Sequence, residues 1–188
     1  MSKITGFTII ETMVVVAIAM SLITIGIPNL NDFIVKTRVD NEISTLHRLI
    51  LTARNSALTH NTSVTLCPLN DDGKCKNVWD KELSVFIDNN NNKIFEPSLN
   101  EKLVSHKAAV KSGDKLQYGK TRIGLTYAST GHLSGWGQNA TFSYCPKGHQ
   151  DKSRGIIVHT SGRAYVSAAN KTNTKDVRRT GAKIKCFN

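Results

Sequence analysis

One carboxylate, Glu11, sits in an apolar run from Phe7 to Ile27 that holds no other ionisable residue. A charge inside such a run costs about 2.5 kcal/mol or more near a bilayer centre and less near its surface, so it is normally kept for a partner. The chemistry Glu11 offers is charge pairing with a buried cation; the plainer reading is a side chain that snorkels to a membrane surface. Four cysteines, Cys67, Cys75, Cys145 and Cys186, all follow the run, and an even count in an exported domain reads as two disulfides. Three pairings are open. Cys67 with Cys75, leaving Cys145 with Cys186, is favoured because residues 68–74 are turn-rich and close easily. A zinc site is the rival, but there is no Cys-x-x-Cys and the six histidines are scattered.

Asp88, Asn90, Asn92 and Glu96 offer oxygens at the alternation of a calcium loop, yet Lys93 stands where the sharp turn wants Gly and Leu99 where a bidentate Glu is needed. An Asn-rich turn is the preferred reading, with no metal and no cofactor expected. The stretch Gly131-His132-Leu133-Ser134-Gly135 lacks the Gly-x-Ser-x-Gly spacing, and the cysteines are better used as disulfides. Nothing argues for an enzyme. The charge is the other signal: 25 Lys and Arg against 14 Asp and Glu give a formal +11, which attracts polyanions without specifying a fold. The excess is densest in residues 170–188, where Lys171, Lys175, Arg178, Arg179, Lys183 and Lys185 face only Asp176. Such a tail suits DNA, anionic lipid or acidic subunits, and a charge run is also commonly just a solvated face.

The elements that would position these groups follow from periodicity. About 21 residues at about 1.5 Å rise make about 32 Å, enough to span a bilayer core, so residues 7–27 are expected to be a transmembrane helix. Beyond Pro28, Val39, Ile43, Leu46, Ile50, Ala53 and Ala57 form one apolar stripe, which extends the helix to about Thr59 and marks where a head packs. Such a helix would be about 80 Å long. After His60 the period changes, and residues 63–67, 83–87, 122–127, 140–144, 155–159 and 163–166 read as strands. The expected organisation is residues 1–6 as a leader, 7–27 as the membrane helix, 28–60 as the outer half of the spine, 61–169 as a β-rich head and 170–188 as the basic tail. A Cys145–Cys186 bridge would pin that tail to the head.

Lys3-x-x-Gly6 ahead of Phe7-Thr8-x-x-Glu11 and a long apolar helix resembles the class III signal of type IV pilin-like proteins. The resemblance implies that a prepilin peptidase cuts after Gly6 and methylates Phe7. It also implies that Glu11 pairs with the freed amine of Phe7 in a neighbouring subunit during assembly. Further along, Cys67-Pro68, Trp79, Phe86-Ile87-Asp88 with its Asn-rich loop, and Gly155-Ile156-Ile157-Val158 leading to Ser161-Gly162-Arg163 are similar to the GspH/FimT family of minor pilins and pseudopilins. The implied fold is α+β: a long N-terminal transmembrane and spine helix packed on an antiparallel two-sheet head.

The implied role is a subunit of the tip or priming complex of a type IV pilus or type II secretion pseudopilus. Its partners would be other pilins or pseudopilins, the prepilin peptidase and the bacterial inner membrane. The head would be periplasmic, and extracellular once assembled in a pilus. Some FimT members bind DNA through a basic C-terminal region centred on Gly-Arg-x-Arg; here the residues are Gly162-Arg163-Ala164-Tyr165, with Tyr165 in place of the second Arg. Double-stranded DNA is therefore a candidate ligand of Arg163, Tyr165 and the six tail cations, Tyr165 by stacking. The alternative is a purely structural pseudopilin of type II secretion that binds no DNA.

Overall fold

The computed structural model describes residues 6–135, 137, 139–169, 176–177 and 183–186, without the side chains of residues 25–29, 169, 176 and 177. The chain divides into two units, residues 1–37 and 38–188, and one helix, α1 (Ile9–His60), has residues in both. In the first unit every described residue from Gly6 to Thr24 is exposed. The hydroxyls within this stretch close on their own helix: Thr12, Ser21 and Thr24 donate to the carbonyls of Ile9, Ala17 and Ser21 at 2.7, 2.8 and 3.0 Å. Back-bonding of this kind frees the helix surface of unsatisfied polar groups. Among the described residues no helix is long and apolar enough to cross a membrane; the expected span over residues 7–27 runs past Thr24 into side chains outside the description.

In the second unit the apolar stripe of α1 is the spine of the core. Val39, Ile43, Leu46, Ile50, Ala53 and Ala57 are all buried, because their spacing puts them on one helical face. Two four-stranded antiparallel sheets supply the rest. Sheet 1 has the order β3 (Leu103–Lys107), β2 (Leu83–Ile87), β1 (Val64–Cys67), β5 (Leu125–Tyr127). Sheet 2 has the order β4 (Lys115–Tyr118), β6 (Ala140–Cys145), β7 (Arg154–Val158), β8 (Ala164–Val166). A two-residue pair, β9 (Ala168–Ala169) with β10 (Asp176–Val177), follows.

All four residues of β1 are buried, so both faces of sheet 1 are covered. Val64 and Leu66 belong to the face that β2 extends with Val85 and β5 with Leu125 and Tyr127. On the other face Cys67, Cys75 and Phe86 cluster with Leu69 and Phe95. Beside them the Thr65 hydroxyl bonds to Asp88 Oδ2 at 2.6 Å and shares a 2.8 Å contact with Thr126. The inner face of sheet 2 is aromatic: Tyr118 stacks on Phe142, and Trp79 meets both edge-on at 5.2 Å. The Trp79 indole N–H is satisfied by the Arg122 carbonyl at 2.6 Å, which lets a large ring be buried without a polar penalty.

β3 and β4 are strands that the sequence pattern did not reveal, and the stretch expected as a strand over residues 122–127 is shorter, beginning at Leu125. β3 and β4 are edge strands of five and four residues. An edge strand is defined by its single long-range partner more than by its own alternation; β3, for instance, pairs Ser105 with Val85.

Candidate assembly and polyanion surfaces

At the N-terminal group, Gly6 has no neighbour within 4 Å of where a Cβ would stand, and Phe7 is 82 % exposed. α1 begins after Thr8, whose Oγ1 accepts the Glu11 N–H at 3.3 Å. Thr8-x-x-Glu11 thus has capping-box spacing, a signal present in the sequence and overlooked there. The hydroxyl satisfies one of the orphan amides of the first turn, and the Glu11 carboxylate lies at the positive end of the helix dipole. Glu11 is exposed, so its side chain is presented outward. Residues 1–5, the rest of the expected leader, lie outside the described residues.

Cys67 is bonded to Cys75, and Cys145 to Cys186, with Cα–Cα distances of 5.5 and 6.1 Å. The second bridge fixes residues 183–186 on the outer face of sheet 2. Ile184 is buried against Gly155, where a Cβ would meet the Ile184 Cδ1 at 2.8 Å and the Phe142 carbonyl at 2.7 Å. A side chain at position 155 would therefore displace the tail. Lys183 and Lys185, which flank Ile184, are exposed. Lys171, Lys175, Arg178 and Arg179 lie outside the described residues.

Tyr165 pairs with Ile157, and Ile157 with Thr141. Cross-strand partners share a face, so Tyr165, half-buried, is on the same face of sheet 2 as Gly155 and the tail. Arg163 is exposed in the turn that joins β7 to β8. Gly162 before it has φ +77°, and its Cβ position is only 1.9 Å from the Gly131 carbonyl oxygen. Tyr127 donates its hydroxyl to the Gly162 carbonyl at 3.2 Å, and Arg54 Nε donates to the Gly131 carbonyl at 3.1 Å. The glycine of the Gly-Arg pair is thus required by packing, leaving Arg163 as the group that faces outward.

These cations do not form one cluster. Arg163 follows the Val158 end of β7, near Arg54 and Leu58 of α1. Cys186 is held at the opposite end, by Cys145 next to the Tyr144–Arg154 pair. The five residues of β7 separate the two ends by about 17 Å.

The Asn-rich loop spends its oxygens on the backbone. Asp88, fully buried, accepts the N–H groups of Asn92 and Lys93 at 3.0 and 3.2 Å. Glu101, also buried, accepts those of Asn89 and Glu96 at 3.1 and 2.8 Å. Burial pushes the Glu101 carboxyl above its usual range, opposed by those two bonds. The side chains of Asn90 and Asn92 hold Glu96 below it. Asn91 and Lys93 take positive φ values of 58° and 62°. Among the described residues no group of three or more His, Cys, Asp or Glu side chains is placed to hold a metal ion.

Polar contacts at α1 also escaped the sequence reading. Arg38 pairs with Asp114 at 3.3 Å, Glu42 with Lys107 at 2.6 Å, and Asp40 with Arg154. Only the alternation of charge along the helix hinted at them, because their partners are at least 65 residues away in sequence.

Residues 42–162, well over half of the chain, match the family described as Type II transport protein GspH. The chain belongs to the GspH family. Its fold is similar to the type IV minor pilin FimU of Pseudomonas aeruginosa in two crystal forms. The TM-scores are 0.55 and 0.52 at 17% identity, over 72% and 69% of this chain and 92% of FimU in each case. The minor pseudopilin EpsH of the Type 2 Secretion System of Vibrio cholerae is also similar, at 15% identity over 70% of this chain and 97% of EpsH. Its TM-score is 0.48. No curated protein matches the sequence. The GspH match begins at Glu42 and ends at Gly162, so it covers the helix stripe from Ile43 on, sheet 1, strands β4, β6 and β7 of sheet 2 and the Asn-rich loop, and leaves out Gly6–Glu11, β8 and the basic tail.

Proposed function

We propose that this GspH-family chain is inserted in the bacterial inner membrane by a single helix over residues 7–27, with its head in the periplasm, and is drawn from there into the tip or priming complex of a pilus or pseudopilus. A prepilin peptidase removes residues 1–6 and methylates Phe7, and the Glu11 carboxylate then neutralises the Phe7 amine of a neighbouring subunit. The observation that carries this reading is the stretch from Phe7 to Thr24: apolar, exposed, with its hydroxyls closed on the helix and Glu11 as its one charge. An ion pair is favoured there because each charge alone is costly in lipid. Glu11→Ala should leave processing nearly intact, keep the membrane pool and lower the amount recovered in sheared filaments. Equal amounts of variant and parent in that fraction would defeat the pairing.

A second reading, contact with double-stranded DNA, is supported by the exposure of Lys183 and Lys185 on the face of sheet 2 that also carries Tyr165. Lys171, Lys175, Arg178 and Arg179 are the further cations that the sequence assigns to this reading, while Arg163 belongs to the other end of the sheet. If about 4 phosphates are neutralised together, the log-log salt slope should be about −3.6. Arg178→Gln with Arg179→Gln should flatten it by up to about 2 units, whatever the base sequence. Unchanged affinity of that variant at low salt would leave a purely structural subunit.

A further inference from the structure

The end of sheet 2 that carries the Cys145–Cys186 bridge is also the end at which the head begins. Asp114, buried, accepts from Arg38 at 3.3 Å, from the Tyr144 hydroxyl at 2.5 Å and from the Lys147 N–H at 2.8 Å. The loops over residues 108–114 and 146–152 are thereby closed around Arg38. Gly113, at φ +90°, lies against the Lys147 stem, where a Cβ would stand 2.6 Å from Lys147 Cδ. Lys111 and Lys147 are exposed on these loops. Lys115, the first residue of β4, stands opposite Cys145 and its side chain is 63 % exposed. Lys185, next to Cys186, is exposed as well. Against these four cations stand Asp80, 3.5 Å from Lys115, and the exposed Asp151.

We propose that this basic end of the head is a docking surface for an anionic bilayer, with the four lysines contacting the phosphates of acidic phospholipid headgroups while the subunit waits to be assembled. The proposal rests on the membrane-span reading above. Residues 28–37 are the whole link between the apolar run and Arg38, and ten residues reach at most about 35 Å even when fully extended. Once the run is in the bilayer, this end of the head is therefore held at a high effective concentration of headgroups, whereas a soluble polyanion has to be captured from bulk. The residue type also fits. Lysines are flexible point charges suited to a mobile sheet of phosphates, and the bidentate geometry that an Arg would bring to one fixed phosphate is not needed. Each such cation near an anionic surface contributes about a fivefold preference.

The test uses the full chain reconstituted in nanodiscs of phosphatidylcholine alone or mixed with phosphatidylglycerol. Rates of lysine acetylation are read residue by residue by mass spectrometry. Lys111, Lys115, Lys147 and Lys185 should react about fivefold more slowly in the anionic discs, an effect lost at high salt, while Lys102, at the other end of sheet 1, reacts alike in both. Lys111→Glu with Lys147→Glu should abolish the difference at Lys185 with the near-ultraviolet circular dichroism unchanged. Equal rates in the two kinds of disc, with the chain inserted in both, would overturn the proposal and leave the span intact. Protection of these lysines by duplex DNA added to phosphatidylcholine discs, without protection by acidic lipid, would assign the surface to nucleic acid instead. Failure of the chain to co-purify with either disc would overturn the span itself, and this surface with it.

Discussion

Gly162→Ala isolates the packing demand behind the Gly-Arg pair. At φ +77° an L-residue pays about 1–2 kcal/mol for the left-handed backbone. Its methyl would also stand 1.9 Å from the Gly131 carbonyl oxygen, a backbone atom already tied to Arg54. The turn must therefore move, breaking the bond from the buried Tyr127 hydroxyl to the Gly162 carbonyl. An orphaned buried hydroxyl costs about 1–3 kcal/mol. Together these give about 3 kcal/mol or more, which for a chain of this length lowers the melting temperature by about 6–12 °C. Gly148→Ala is the control: its φ is +75°, and nothing lies within 4 Å of its Cβ position, so only the backbone cost of about 1–2 kcal/mol applies. Thermal unfolding of both variants, followed by near-ultraviolet circular dichroism to report the head, separates the two terms. If Gly162→Ala melts no lower than Gly148→Ala, the contact with Gly131 does not constrain this turn and the packing argument is refuted.

Lys107→Met should cost about 3 kcal/mol in urea denaturation, because it strands the Glu42 carboxylate in a pair whose lysine side chain is only 6 % exposed. Adding Glu42→Leu should recover most of that loss; a double variant no more stable than the single one would argue against a stranded charge. Asn90→Ala should let the Glu96 pKa rise towards its ordinary 4.5, because the Asn90 and Asn92 side chains hold it down, and NMR titration of the carboxyl carbon reads this directly. Since the folded pKa is the lower one, the contribution of Glu96 to stability is present above pH 4.5 and lost as pH falls through the folded value, so Asn90→Ala should weaken that dependence. Glu101, shifted upward by burial, acts in the opposite sense: its contribution is present below pH 4.5 and lost as pH rises through its folded value.

The amino-acid sequence by itself determined what is local or periodic. The stripe from Val39 to Ala57 repeats at helical spacing, so its burial along α1 was readable from residue types alone. The strands at the centre of each sheet, β1, β2, β6 and β7, are rich in β-branched, aromatic and other apolar residues, and both faces of β1 must be covered whatever covers them. Tertiary structure decided what depends on a distant partner. β3 and β4 owe their pairing to β2 and β6, and their own residues are too few and too mixed to announce a strand.

The same holds for the charges. Arg38, Asp40 and Glu42 read as polar faces of a helix until the fold brings Asp114, Arg154 and Lys107 to them. Lys183 and Lys185 are part of a basic tail in the sequence. In the fold the Cys145 bridge and the space above Gly155 carry them to one end of sheet 2, while the turn built on Gly162 holds Arg163 at the other. Composition gives the sign and amount of charge, but a chain's charges are assembled into surfaces only by contacts between residues far apart in sequence, and those contacts are what folding adds.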